Sequence, residues 1–190
     1  MTPTAPSAQT DRFVHDRLPP RAAWPQRRHD TPELLALPAQ VNLVAALFDR
    51  ALAAGHADRP FLRSDARSLT YAQARDEVQR LAAVLEQVHG VRPGQRVLLR
   101  GGNSVAMALA WLAVVHAGAV AVATMPLLRA QELAAIIDKS QPALLLCDAA
   151  LTTELEAVGS GLPLRRFNTP DADGFEALAA QQTARAEPCP

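Results

Sequence analysis

From residue 95 onward, short unbroken apolar runs alternate with longer helical stretches. Arg96, Val97, Leu98 and Leu99 make the first run, residues 119–123 the second, 143–147 the third and 163–167 a fourth. Such runs, without polar alternation, suit strands covered on both faces. Between them the pattern predicts an apolar helix over 104–117, a second from 129 to about 139, and a third over 152–158. Strand, helix, strand repeated with short loops predicts an α/β fold: a parallel sheet with right-handed crossovers and helices on both faces.

Upstream the pattern is different. Asn42 is placed to cap a helix that starts at Leu43 and ends near Gly55. Pro60, Phe61, Leu62 and Arg63 and then Ser68, Leu69 and Thr70 read as two strands, with Asp65-Ala66-Arg67 as the turn of a small N-terminal hairpin. Thr70 and Gln73 fit a capping box. The helix they open carries Tyr71, Ala74, Val78, Leu81, Leu85 and Val88 on one face, and Gly90 closes it. Residues 175–182 suggest a last short helix. Seven of the 15 prolines fall in residues 1–40, which makes that segment an extended arm, with Phe13, Val14, Leu18 and Trp24 as its apolar anchors. Residues 41–170 form the α/β subdomain and 171–190 a tail.

Composition narrows the class. The 190 residues suffice for one domain with a real core, and 49% hydrophobic with 20% charged is an ordinary soluble balance. A formal net charge of zero gives no reason to expect nucleic acid or an anionic membrane as partner. Residues 105–125 carry no Asp, Glu, Lys or Arg over a membrane-span length. His116-Ala117-Gly118 interrupts that run, so a buried helix followed by a buried strand is expected instead. Residues 1–10 hold no hydrophobic targeting segment, and a cytoplasmic location is expected. Cys147 lies in an apolar run and reads as a buried structural thiol, while Cys189 lies in a Pro-rich tail; no disulfide between them is expected.

Few residues suggest chemistry. Gly101-Gly102-Asn103-Ser104 stands between a strand and a helix start, where backbone amides can hold a phosphate. It matches neither the Gly-x-Gly-x-x-Gly loop nor the phosphate loop with Gly-Lys-Ser/Thr, and Lys139 is the only lysine. A tight turn in which Asn103 or Ser104 caps the helix is the simpler reading; a nucleotide-binding module built on this turn stays open, as does a non-catalytic protein-interaction domain. His15, His29, His56, His89 and His116 have no ligand spacing, and His116 reads as a helix-end residue. No serine sits in a nucleophile elbow. Asp171, Asp173 and Glu176 follow a proline and suit a turn and helix start rather than a metal cage. Met125 and Pro126 follow the carboxyl end of a parallel strand, the edge where open α/β sheets bind ligands. They end the strand, and they are the candidate substrate-binding residues, as a pocket wall. No catalytic, cofactor-binding or metal-ligating residue is assigned.

Four ordered elements carry a resemblance. Leu69-Thr70-Tyr71 before an amphipathic helix, then Val91-Arg92-Pro93-Gly94-Gln95-Arg96-Val97, then Asn103-Ser104, then His116-Ala117-Gly118-Ala119 resemble the N-terminal part of the acyl-adenylate-forming enzymes, over roughly residues 40–150. Gly101-Gly102 and residues 124–128 depart from the usual pattern of that superfamily. The arm, with Asp11-Arg12-Phe13-Val14-His15-Asp16-Arg17-Leu18-Pro19-Pro20 and Trp24-Pro25, is similar to the leader of aryl-CoA ligases, in particular those for 2-aminobenzoate. The resemblance implies a partial N-terminal subdomain of an adenylate-forming enzyme, its tail leading to a missing remainder. It also implies a parent reaction in which an aromatic carboxylic acid, ATP and CoA, with Mg²⁺, yield acyl-CoA, AMP and diphosphate. The family's lysine-bearing phosphate loop matches nothing here, so this segment alone is expected to be inactive and to need no cofactor, with surface left bare through which it can self-associate.

Overall fold

The computed structural model describes residues 8–26, 28, 30–183 and 185–190. Residues 1–7 and His29, part of the targeting-segment and histidine readings, lie outside the described residues. Strands β1 (Pro60–Arg63) and β2 (Ser68–Thr70) pair antiparallel as the expected hairpin. Strands β3 (Arg96–Arg100), β4 (Val120–Thr124), β5 (Leu144–Asp148) and β6 (Leu164–Phe167) form a parallel sheet in the order β4-β3-β5-β6. The helices are α1 (Pro32–Leu35), α2 (Leu43–Ala53), α3 (Tyr71–Ala83), α4 (Val105–His116), α5 (Ala130–Ser140), α6 (Thr152–Val158) and α7 (Phe175–Ala180).

Successive strand residues point to opposite faces, so each apolar run feeds two cores. Val97, Leu99, Leu144 and Leu146 pack with Val78 of α3, Leu109 of α4 and Phe175 of α7. Leu98, Leu145 and Cys147 pack with Leu133 and Ile137 of α5 and Leu155 of α6. Burial pushes the Cys147 thiol up to about 12. The local signals behave as their chemistry demands. Asn42 Oδ1 accepts from the N–H groups of Val44 and Ala45, and Thr70 and Gln73 exchange both bonds of the capping box. No helix among the described residues is long and apolar enough to cross a membrane.

Two expectations need correction. The apolar run of β4 does not mean cover on both faces: β4 is an edge strand, and Ala123 is exposed. The periodic stripe of α3 also fails at its end. A π turn spans Val84–Val88, with His89 N–H donating to the Val84 carbonyl at 3.1 Å. Its five-residue spacing shifts the phase, and Val88 emerges 47% exposed.

Arm and tail both dock at the amino end of the sheet. The arm is held by polar contacts: Arg96 donates to the Asp11 carboxylate at 2.7 Å and stacks 4.0 Å from the Phe13 ring centroid. Of the four expected apolar anchors, Val14 and Leu18 are exposed. In the tail, Cys189 N–H donates to the His116 carbonyl at 3.0 Å. His116 is buried, with Nε2 at 3.0 Å from the Ala186 carbonyl. Asn42 Nδ2 ties the arrangement together by donating to the carbonyls of Val115, His116 and Cys189 at 3.1, 3.0 and 2.6 Å.

Candidate functional site

The helix after β3 lies on one face of the sheet and the helices after β4 and β5 on the other. Between the adjacent strands β3 and β5 the connections therefore leave in opposite directions, which is a topological switch point. Open α/β sheets take ligands in the crevice outside the carboxyl ends of such strands.

A polar network spans that crevice. Asn168, just past β6, donates through Nδ2 to Asp148 Oδ2 at 2.6 Å and to Ser104 Oγ at 3.3 Å. Its backbone N–H donates to Glu176 Oε1 at 2.9 Å. Asn168 sits at a φ of 54°, a left-handed conformation that asparagine tolerates better than most residues. Ser104 Oγ also accepts from the Met107 N–H at 3.1 Å, so Ser104, not Asn103, caps α4. Asp148 Oδ1 accepts from the Ala150 N–H at 3.0 Å and shapes the turn into α6.

Arg100, the last residue of β3, is 1% exposed. Its guanidinium donates to the carbonyls of Met125, Pro126 and Leu128 at 3.0, 2.9 and 2.9 Å, and to that of Leu151 at 3.2 Å. One side chain thus ties the loop after β4 to the segment after β5. Beside them, Glu154 accepts from Arg129 and from the Ala130 N–H, both at 2.8 Å. The Arg129 hydrogen bond, then the Ala130 N–H, holds the Glu154 carboxyl below the usual carboxylate range.

Two cavities flank the crevice. One, of about 450 Å³, lies between the hairpin and the start of α4, bordered by Leu62, Arg63, Asn103, Ser104 and Trp111. The other, of about 350 Å³, is bordered by Arg100, Pro126, Leu128, Arg129, Leu151 and Glu154. Pro126 therefore borders a cavity at the carboxyl edge. Met125 is 62% exposed, contributes its carbonyl to Arg100, and does not line that cavity.

The Gly101-Gly102 turn has a packing explanation. A Cβ on Gly101 would stand 2.7 Å from Phe167 Cζ and 3.2 Å from Met107 Sδ, whereas one on Gly102 would meet nothing within 4 Å. Asp171 and Asp173 pair with Arg166, Asp173 also with Arg165, as a turn before α7. No group of three or more His, Cys, Asp or Glu able to hold a metal occurs among the described residues. Sequence reasoning overlooked Arg100, Asp148 and Asn168. The available signal was an arginine closing an apolar run directly before Gly-Gly, where a buried strand has no place for an unpartnered charge.

The chain is similar to known proteins in sequence and in fold. A family model described as AMP-binding enzyme matches residues 48–188. A 3-hydroxybenzoate–CoA ligase of Aromatoleum sp. (strain CIB) is 34% identical over 109 residues, which is 57% of this chain and 21% of that protein. A 4-coumarate–CoA ligase-like protein 3 of Oryza sativa subsp. japonica is 42% identical over 105 residues, 53% of this chain and 18% of that one. The chain thus spans about a fifth of the length of these curated relatives. In fold it is similar to a benzoate CoA ligase from Burkholderia xenovorans LB400 (TM-score 0.67, 24% identity, 78% of this chain and 30% of that one). It is also similar to the anthranilate CoA ligase AuaEII solved with anthranoyl-AMP (TM-score 0.70, 22% identity, 80% and 30%).

Proposed function

The chain belongs to the AMP-binding enzyme family, and on that footing we propose that it is the N-terminal part of an ATP-dependent aryl-CoA ligase of the 2-aminobenzoate or benzoate type. In that reaction an aromatic carboxylate, ATP and CoA give the aryl-CoA thioester, AMP and diphosphate. The observation that carries the reading is the family match over residues 48–188, which takes in the hairpin and the whole parallel sheet. Similarity to a ligase for 3-hydroxybenzoate supports an aromatic acid as substrate. The Phe13-to-Trp24 leader supports the 2-aminobenzoate type.

Within this reading the carboxyl edge is a wall of the site, and Pro126 and Met125 belong to the loop that forms it. The residues here do not fit ATP or its metal ion as a site of their own. Gly101 is spaced for Phe167 rather than for a phosphate, and the described residues gather no metal-ligating group. This supports the reading that ATP, Mg²⁺ and CoA are handled by residues other than those described.

Two assays test the proposal. The 190-residue chain given ATP, Mg²⁺, CoA and 2-aminobenzoate is expected to release no AMP; clear release refutes the reading as a part of an enzyme. The longer protein that carries this chain is expected to form the thioester of 2-aminobenzoate or benzoate. If it activates no aromatic acid, the ligase reading is refuted.

A further inference from the structure

Arg96 and Arg100 stand at opposite ends of β3, four residues apart and so on the same face. Both are buried, and both reach backbone carbonyls of neighbouring loops. Arg96 donates to the carbonyls of Ser140, Gln141 and Gly94 and also to the Asp11 carboxylate, which offsets its charge. Arg100 has the carbonyls only; among the described residues no carboxylate pairs with it. Glu154, ion-paired to Arg129, is near enough to feel the Arg100 charge but makes no direct pair with it, and a buried cation held by carbonyls alone is costly. The arginine without a direct ion pair is the one at the carboxyl edge, where it holds the loop that borders the cavity.

We propose that Arg100 is a positioning residue of the ligase reaction. It fixes the loop over residues 125–128 and the start of α6 in one arrangement, so that the wall they form meets the reacting groups in register. The inference rests on the ligase reading above. Lysine cannot reproduce the effect, because a single ammonium does not span four carbonyls in two segments as the planar fork does.

The test uses the longer ligase with Arg100→Lys and Arg100→Ala. In Arg100→Lys, assayed at a temperature where the variant stays folded, kcat should fall about 10- to 100-fold with KM for ATP near wild type. Guanidinium ion added to Arg100→Ala should restore part of the activity, and methylammonium should not. Hydrogen exchange should show the amides of residues 127–129 and 150–152 losing protection in Arg100→Ala and regaining it with guanidinium. Wild-type kinetics in Arg100→Lys overturn the proposal. So do losses that follow the unfolded fraction and do not respond to guanidinium. A wild-type enzyme that makes no aryl-CoA overturns the ligase reading and the catalytic consequence with it, while the exchange comparison still decides whether Arg100 holds the loops.

Discussion

Asn42→Ala is expected to destabilise the fold by about 2–4 kcal/mol, from two separate losses. The first is the cap of α2, where Oδ1 accepts from Val44 and Ala45 at 3.0 and 3.1 Å; such caps contribute about 1 kcal/mol. The second is the amide that faces the carbonyls of Val115, His116 and Cys189. Two of these keep another donor, Gly118 N–H for Val115 and Cys189 N–H for His116, each at 3.0 Å. The half-buried Cys189 carbonyl is the one stranded, and an acceptor left unsatisfied away from water costs about 1–3 kcal/mol. Asn42→Asp gives a sharper test. It keeps the cap but sets a carboxylate oxygen against three carbonyls at a site only 7% exposed, so at neutral pH it should be the less stable of the two. Its deficit should shrink as the pH falls toward protonation of that carboxyl, which can then donate. Urea unfolding followed by circular dichroism reads both, since a slope of about 1–3 kcal/mol per molar turns these losses into a clear midpoint shift. The reasoning is refuted if the Asp variant is the more stable, or if both stay within about 0.5 kcal/mol of the parent.

Gly101→Ala should cost about 1–3 kcal/mol by overpacking against fully buried Phe167, while Gly102→Ala should leave the thermal midpoint nearly unchanged. The Glu154 carboxyl is held below its ordinary 4.5 in the folded chain. Its contribution is therefore complete above that value and is lost as the pH falls through the lower folded one. The stability gap between wild type and Glu154→Gln should accordingly close on acidification, as followed by denaturation at a series of pH values. For the thiols, Ellman's reagent should label Cys189 slowly in the folded chain, because burial and the nearby Glu86 charge raise its pKa. Cys147, pushed up to about 12 and fully buried, should react only after unfolding; fast native labelling of both would contradict the packing.

What could be read without coordinates was chiefly local. Asn42, Thr70 with Gln73, and Gly90 announce helix ends through hydrogen bonds that close within a few residues, and they end helices as expected. The run at 119–123 was legible as a strand but not as an edge strand, because strand order is decided by pairing with distant segments. Val88 was placed on the wrong face because a π turn breaks the period on which the inference rested. Arg100 was the most consequential omission. Its four acceptors lie 25 to 51 residues further along the chain, and no spacing rule connects a strand-end arginine to carbonyls of two later segments. Asn168 joins elements brought together only by the sheet itself.

The docking of arm and tail has a practical consequence. Thr10 and Asp11 donate to the Pro93 carbonyl, and Cys189 lies against Gly118, whose carbonyl accepts from the Gly94 N–H at 2.9 Å. Both segments therefore meet the sheet at the same rim. A strand of five residues separates that rim from the opposite one, a distance of about 17 Å. A linker or immobilising tag attached through residues 8–9 or 190 would leave the carboxyl edge facing solution. Attachment of this kind would leave both cavities open, whereas a tether placed in the loop at 125–128 would cover one of them.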